Sequence, residues 1–489
     1  MNKDFDLENS VFTYIVAPFP VDVFPKHQLI FQNILTISCS PKTDIQYFEN
    51  QEKAIAIIGF CIDSHKEIER HHIPNEAISQ DFTCIEDVYR WFDRFAGKYV
   101  VIYKDFDDIY VWGDATCSIP INYTVSGFDF FISSSDTLIA KYNNFSVSDY
   151  SRRIRLASDL SQALPWNITM YDSIKALLPN HYLSLSSHNA QRVPLCVNDD
   201  THVHNFENIL SQSLNRITNI ASEYTRYYDF ACPLTSGYDS RVVFSILNSI
   251  SPNFDCYTFR HSYFKPNEGD IVIPREICKQ HTKKHIVIDD ILAPQDYINK
   301  IQNYLGEYTS EKYIHIAYTY NSTLSEFAQI NGDIIDQVGK SLIGNNTPNF
   351  LAIPSFFQCK IHNRSNNAKK EIKKHINSIN TTNEKKKVFD LFAIESRCGR
   401  WASQTSQIYS TCGITSLNFF NCRELIALWT SLPRSIRTKK QIHNHILKTL
   451  SPALLHIPFN PGAKVSNALK GNWLTFFIAT YIKQYIFKG

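Results

Sequence analysis

From Leu234 to Arg241 the chain reads Leu-Thr-Ser-Gly-Tyr-Asp-Ser-Arg. Hydroxyls at Thr235, Ser236 and Ser240 flank Gly237, and Tyr238 and the carboxylate of Asp239 follow it. A β-type run, Asp229–Leu234, leads into this segment, and a helical run over Asp239–Asn248 leads out of it. Small residues at 235–237 let the backbone approach a ligand closely. The amides of the turn and of the first helical residues have no partner within the helix, and the helix dipole adds positive potential. Such a turn can cradle a pyrophosphate group, with Asp239 beside it to hold Mg²⁺. Ser, Gly and Asp are equally at home in strand-to-helix turns that bind nothing. The loop's residues, by themselves, favour neither reading.

The elements around the loop change character near residue 200. Before it, runs rich in β-branched and aromatic residues dominate: Ala54–Ile58, Tyr99–Tyr103, Asp108–Trp112 and Phe128–Ile132. They predict layered antiparallel sheets in an N-terminal α+β domain over 1–195. The polar stretch Val193–Asn205 reads as a linker. A C-terminal α/β domain over 200–489 is expected after it. Phe206–Ala221 carries helical periodicity, Phe254–Phe259 and His285–Ile288 read as strands, and Asp270–His281 reads as a helix. Alternating strands and helices predict a parallel sheet with flanking helices, whose ligands sit beyond the carboxyl ends of the strands.

Composition excludes several functions. The 489 residues carry a formal net charge of +2, so no global field favours nucleic acid or a membrane surface. Twelve cysteines lie scattered, without metal-site spacing, as expected of reduced thiols in a cytoplasmic protein. The polar start, MNKDFDLENS, does not read as a secretory signal. The apolar tail Trp473–Phe487 is interrupted by Lys483 and Gln484, so a packed terminal helix is expected and stable membrane insertion is not. The lysine-rich stretch Asn366–Val388 lacks interleaved aromatics and reads as a solvated helix pair with a turn at Asn380–Asn383.

The loop at 234–240 resembles the SGGxDS pyrophosphate loop (PP-loop) of N-type ATP pyrophosphatases, most closely the LSGGLDS form of asparagine synthetases. Thr235 stands for the first Ser, and Ser236 for the first Gly, which requires that residue 236 not need a positive φ. Further similarities follow in the family's order. Tyr257-Thr258-Phe259 resembles the second strand, whose end, here Phe259, contacts adenine. Asp270 and its helix resemble the next element. Asn331-Gly332-Asp333-Ile334-Ile335-Asp336-Gln337 resembles the SGEGxDE loop. This implies that Gly332 lies at the nucleotide, that Asp336 shares Mg²⁺ with Asp239, and that Asp333 stands near the reacting centre. Ile334 for Gly and Gln337 for Glu are departures. Ile394–Arg397 and Leu417–Asn421 resemble the ExR…PFLD region. Leu455–Lys464 resembles the late loop that brings a lysine over the phosphates, with Lys464, or alternatively Lys470, as that lysine. The implied fold is adenine nucleotide alpha hydrolase-like.

The first half resembles the family's Ntn-type glutaminase through Phe95–Val101, Trp112-Gly-Asp114, Phe131–Ser135 and Ile174–Tyr182. That chemistry requires Cys at position 2, freed as the N-terminal residue. Residue 2 is Asn, so a degenerate domain without glutaminase activity is expected.

The resemblance implies an AMP-forming amide ligase using ATP and Mg²⁺, a small carboxylate, and an amine or ammonia donor. The nitrogen is left to free ammonia, to a partner protein, or to the substrate itself, as in β-lactam synthetases and lasso-peptide cyclases. A homodimer is compatible with this reading, and a nucleic-acid partner is not expected. RNA modification by the same superfamily and a catalytically silent scaffold are the alternatives.

Overall fold

The computed structural model describes residues 6–124, 130–155, 164, 166–195, 206–251, 253–261, 268–341, 348–361, 363, 365–380, 387–460 and 478. The first half is built from twelve strands: β1 (Tyr14–Ala17), β2 (Gln28–Phe31), β3 (Leu35–Cys39), β4 (Ile45–Glu49), β5 (Ala54–Asp63), β6 (Phe95–Asp105), β7 (Asp108–Gly113), β8 (Asn122–Thr124), β9 (Ile132–Ser133), β10 (Ile174–Ala176), β11 (His181–Ser184) and β12 (Asn189–Arg192). They form two six-stranded sheets, ordered β10-β8-β9-β1-β3-β2 and β12-β11-β7-β6-β5-β4. Every pairing within them is antiparallel.

The long apolar run of β5 has a simple cause. Ala54, Ala56, Ile58 and Phe60 face the first sheet, packing with Tyr14, Val16 and Ile37. Ile55, Ile57 and Cys61 point to the other side, against Ile73, Ala77 and Val88 of two short helices, Ile73–Ser79 and Ile85–Trp91. A strand buried on both faces reads as continuous hydrophobicity rather than alternation. Of the run expected at Phe128–Ile132, residues 128 and 129 lie outside the described residues, and β9 begins at Ile132.

The second half holds a five-stranded sheet, all parallel, in the order β15-β14-β13-β16-β17. Its strands are β13 (Phe230–Pro233), β14 (Asp255–Arg260), β15 (His285–Asp289), β16 (Ala328–Ile330) and β17 (Ser416–Leu417). The helix Tyr238–Ile250 covers one face through Val242, Val243 and Ile246, which join Phe230, Cys232 and Cys256. The helices Gln295–Leu305 and Glu311–Leu324 cover the other, around Ala231, Tyr257 and Ile288. Of the expected linker Val193–Asn205, residues 196–205 lie outside the described residues.

The halves share one core, because Tyr14, Ile58 and Val100 belong to the same apolar cluster as Ile217, Phe419 and Leu425. Buried polar contacts stitch the seam. Arg423 donates to Asp93 at 2.5 Å, and Asn421 donates to the Gly97 carbonyl at 2.6 Å and to Asp114 at 2.8 Å. The lysine-rich helix Asn366–Asn380 buries Ala368, Ile372, Ile376 and Ile379 on one stripe and leaves Lys369, Lys370, Lys373 and Lys374 exposed. That helix is therefore an ordinary amphipathic one. The eleven described cysteines are all free thiols. Among the described residues no helix is long and apolar enough to cross a membrane.

Candidate functional site

Parallel topology brings the predicted loops together. β13 and β16 are neighbours, and each runs into one loop at its carboxyl end: Leu234–Ser240 after β13, and Asn331–Asp336 after β16. The backbones touch: a Cβ on Gly332 would lie 3.6 Å from the Asp239 carbonyl oxygen. That is ordinary contact, so Gly332 is not demanded by sterics. Leu234 is fully buried, and its amide donates to the Tyr257 carbonyl at 2.9 Å. Its own carbonyl accepts from the Thr258 hydroxyl at 2.5 Å. Phe259, two residues beyond Tyr257, is half-buried and meets the Tyr257 ring edge-on at 5.4 Å.

The pyrophosphate-type loop is internally braced. The Thr235 amide donates to Ser240 Oγ at 3.1 Å and the Gly237 amide to Thr235 Oγ1 at 3.2 Å. Ser236 donates through its amide (2.8 Å) and its hydroxyl (2.6 Å) to Asp270 Oδ1. Ser236 is not among the positive-φ residues, and Gly237 has φ −78°. The serine in place of glycine therefore carries no backbone strain. Gly237 caps the thirteen-residue helix Tyr238–Ile250 without a side-chain bond, so the first-turn amides receive no capping oxygen.

Arg241 fixes this loop from below. It is fully buried. It donates to the carbonyls of Leu454 (3.0 Å), Ile457 (2.9 Å), Ser236 (3.1 Å) and Pro458. Burial lowers its pKa to about 10. Its guanidinium lies 3.8 Å from the centre of the Phe459 ring, which stacks at 3.7 Å on Tyr238. The Asn460 amide donates to the Ser236 carbonyl at 3.2 Å. The late segment, as far as Asn460, thus lies on the Leu234–Ser240 loop. Lys464 and Lys470 lie outside the described residues.

Asp239 and Asp336 face each other, with Lys340 between them. The Lys340 ammonium hydrogen-bonds Asp336 Oδ1 and stands 3.7 Å from Asp239 Oδ2. His443 Nε2 meets Asp239 Oδ1 at 2.8 Å, and Gln337 Nε2 donates to Asp336 Oδ2 at 2.6 Å. Burial pushes the Asp239 carboxyl up, but the His443 hydrogen bond and the charges of His443, Lys340 and Lys440 outweigh it and hold it below the usual range. Asp333 goes the other way. Burial first, and then the negative charges of Asp336 and Asp239, push it up to about 6. Arg397, whose guanidinium lies 4.5 Å from the Trp401 ring centre, only partly offsets this. A carboxyl titrating near 6 exchanges protons readily at neutral pH.

A divalent magnesium ion needs about six oxygen ligands in near-octahedral array. Each oxygen of Asp239 and Asp336 already faces a protein cation or N–H donor. As folded, the pair does not fit a metal ion. Sequence reasoning missed Lys340 and His443, and named Arg397 only as the end of the ExR-like segment. Lys340 had a signal, being four residues after Asp336, whereas His443 had none.

Asp333 also lines a cavity of about 50 Å³ that runs back to the seam, past Ser403 and Asn418 to Lys98. Lys98 is buried, donates to Ser406 Oγ (2.6 Å) and Ser410 Oγ (2.8 Å), and is lowered by burial to about 7. Glu395 of the ExR-like segment is fully buried away from the loops, against Arg192 and His375.

No family model and no curated protein matches this chain. Among solved structures, glutamine phosphoribosylpyrophosphate (PRPP) amidotransferase from B. subtilis, complexed with ADP and GMP, aligns over 57% of this chain and 60% of its own, at 8% identity and TM-score 0.24. A structure of the allosteric regulatory enzyme of purine biosynthesis aligns over 62% of this chain and 73% of its own, at 10% identity and TM-score 0.24. The chain thus spans less than two thirds of the first of these. Likeness at this level carries no conclusion about fold or activity.

Proposed function

We propose that this chain is an ATP-dependent, AMP-forming amide ligase of the asparagine synthase-like kind. In this reading the parallel-sheet half is adenine nucleotide alpha hydrolase-like and the antiparallel half is an Ntn-like domain without glutaminase activity. The observation that carries the reading is the meeting of the Thr235–Ser240 and Gly332–Asp336 loops at the carboxyl ends of adjacent parallel strands. The uncapped amides at Tyr238 and Asp239 suit a phosphate, and the end of β14 at Phe259 suits an adenine.

A substrate carboxylate oxygen attacks the α-phosphorus, the bond to the bridging oxygen breaks, and pyrophosphate leaves. An amine then attacks the acyl carbon, AMP departs, and the nitrogen loses a proton. Asp333, titrating near 6, is mostly ionised at neutral pH and is the group suited to accept that proton. The amine comes from free ammonia, a partner protein or the substrate itself, the last giving an intramolecular lactam or cyclic peptide.

The test is ATP–pyrophosphate exchange against a panel of carboxylates. Exchange with at least one, abolished by Asp239→Ala, is expected; none with any carboxylate sinks the reading. A silent scaffold is the second reading. The observation favouring it is the protein donor already facing every oxygen of Asp239 and Asp336.

A further inference from the structure

We propose that Lys340 is a built-in counter-cation, taking the position between Asp239 and Asp336 that a divalent metal would otherwise hold, so that the site engages a nucleotide polyphosphate without one. The nucleotide part rests on the ligase reading above; the cation part does not.

Three observations lead here. The first is position. Lys340 caps the π-type turn Ile335–Gly339, four residues after Asp336. Its ammonium bonds one carboxylate and lies 3.7 Å from the other. The second is that the remaining oxygens, Asp239 Oδ1 and Asp336 Oδ2, each already meet a buried side chain. His443 and Gln337, which take them, are not mobile surface groups: His443 is fully buried and Gln337 is 6% exposed. His443 sits on the helix Gln441–Leu450, packed along the helix Tyr238–Ile250 that carries Asp239. Its other ring nitrogen, Nδ1, is buried without a hydrogen-bond partner, so the contact with Asp239 is the hydrogen bond that holds the ring. A metal bridging the two carboxylates would therefore have to take the oxygens that face Lys340, Asp239 Oδ2 and Asp336 Oδ1, and so displace its ammonium.

The third is charge. Three carboxylates, Asp239, Asp336 and Asp333, beside Lys340, Arg397 and Lys440, whose ammonium lies 3.7 Å from the centre of the Tyr238 ring, sum to zero. A dication added there would stand against two lysines. Lys340 is partly exposed, at 33%, and an ammonium has three donors. One is spent on Asp336, which leaves donors for phosphate oxygens at the mouth of the loop.

The experiment uses the full chain, as wild type, Lys340→Ala and Lys340→Arg. Mn²⁺ binding is read by electron paramagnetic resonance without nucleotide, and ATP binding by calorimetry in Mg²⁺ and in EDTA. We expect no Mn²⁺ site in wild type or Lys340→Arg, and a new one in Lys340→Ala. Wild-type ATP affinity should be equal in the two media, whereas Lys340→Ala should lose about tenfold or more in EDTA and recover in Mg²⁺. Mn²⁺ bound by wild type as tightly as by Lys340→Ala, or wild-type ATP affinity falling about tenfold in EDTA, overturns the proposal. If Lys340→Ala does not fold, Lys340→Gln replaces it. If wild type binds no ATP in either medium, the ligase reading fails, while the Mn²⁺ titration still decides the cation.

Discussion

Two ionic clusters in this molecule use nearly the same residue types, and they do opposite work. At the seam, Glu395 is completely buried. Arg192 grips it bidentately at 2.5 and 2.9 Å, His375 Nε2 lies 2.7 Å away, and the Asn180 amide donates at 3.3 Å. At the ends of β13 and β16, the cluster of Asp239, Asp336, Lys340 and His443 is about one-third exposed at three of its four members. In the first, burial pushes the carboxyl up, and Arg192 and His375 pull it far below the usual range. Such a pair is a rivet, because breaking it strands a charge in a dry place. In the second, water still reaches the charges, so partners can be exchanged at modest cost. Burial, more than residue type, separates scaffold from site.

That contrast can be broken by substitution, and the largest effect belongs to the rivet. Glu395→Ala should cost about 3–5 kcal/mol of stability, since Arg192 and His375 stay buried without their acceptor. Urea titration checks it, and a loss below about 1 kcal/mol would mean the cluster is not a rivet. The sign with pH follows from the depressed pKa. The contribution is present above the ordinary value of 4.5 and fades as pH falls below it, so wild type and variant should converge in acid.

Lys98 is the next test, a buried cation with no carboxylate within hydrogen-bond reach. It titrates near 7 when folded, against 10.5 ordinarily. Below 7 the unfolded chain holds the proton at no cost and the folded chain holds it at a penalty. Stability should therefore rise with pH between 7 and 10.5. Lys98→Met removes the penalty and two hydrogen bonds to serines, for a net gain of about 2 kcal/mol near pH 6 that becomes a loss of about 1–2 kcal/mol near pH 10, where the lost hydrogen bonds dominate. Denaturation at both pH values reads it; an equal gap at both refutes the buried-cation account.

Phe459→Ala separates the late segment from the loop. Losing the stack on Tyr238 and the contact with Arg241 should cost about 1–2 kcal/mol, and ATP affinity should fall as the segment lifts. Unchanged affinity would show that the segment is only packing. The smallest effect belongs to the open cluster. Lys340→Ala should change stability by about 1 kcal/mol or less, and a drop as large as that of Glu395→Ala would make the two clusters alike.

Much of the architecture was legible from periodicity. The strands at 230–233, 255–260 and 285–289 and the helices at 238–250 and 269–280 fall within a few residues of where hydrophobic patterning put them, because buried faces leave regular traces. Phe130 and Phe131 were less legible, since aromatic residues pack as well beside a sheet as within one. In the site, Thr235, Ser236 and Asp239 were named because a strand-to-helix turn carries a local signature, and Gly332, Asp333 and Asp336 because their loop resembles a family motif. Glu395 was read as part of a family motif, and the fold makes it a rivet between segments 203 residues apart in sequence.

The sequence alone therefore marked the turn at 235–240 as one able to meet a phosphate, since small residues, hydroxyls and a carboxylate there are local facts, and it marked the loop at 331–337 through family resemblance. It also determined the change from antiparallel to parallel architecture near residue 200. Only the tertiary structure decided what stands between Asp239 and Asp336. His443 lies 204 residues from Asp239, and no local pattern encodes that approach. Electrostatic partners are chosen by distance in space, and distance in space is set by the packing of helices whose apolar stripes say nothing about the charges they carry on the other side.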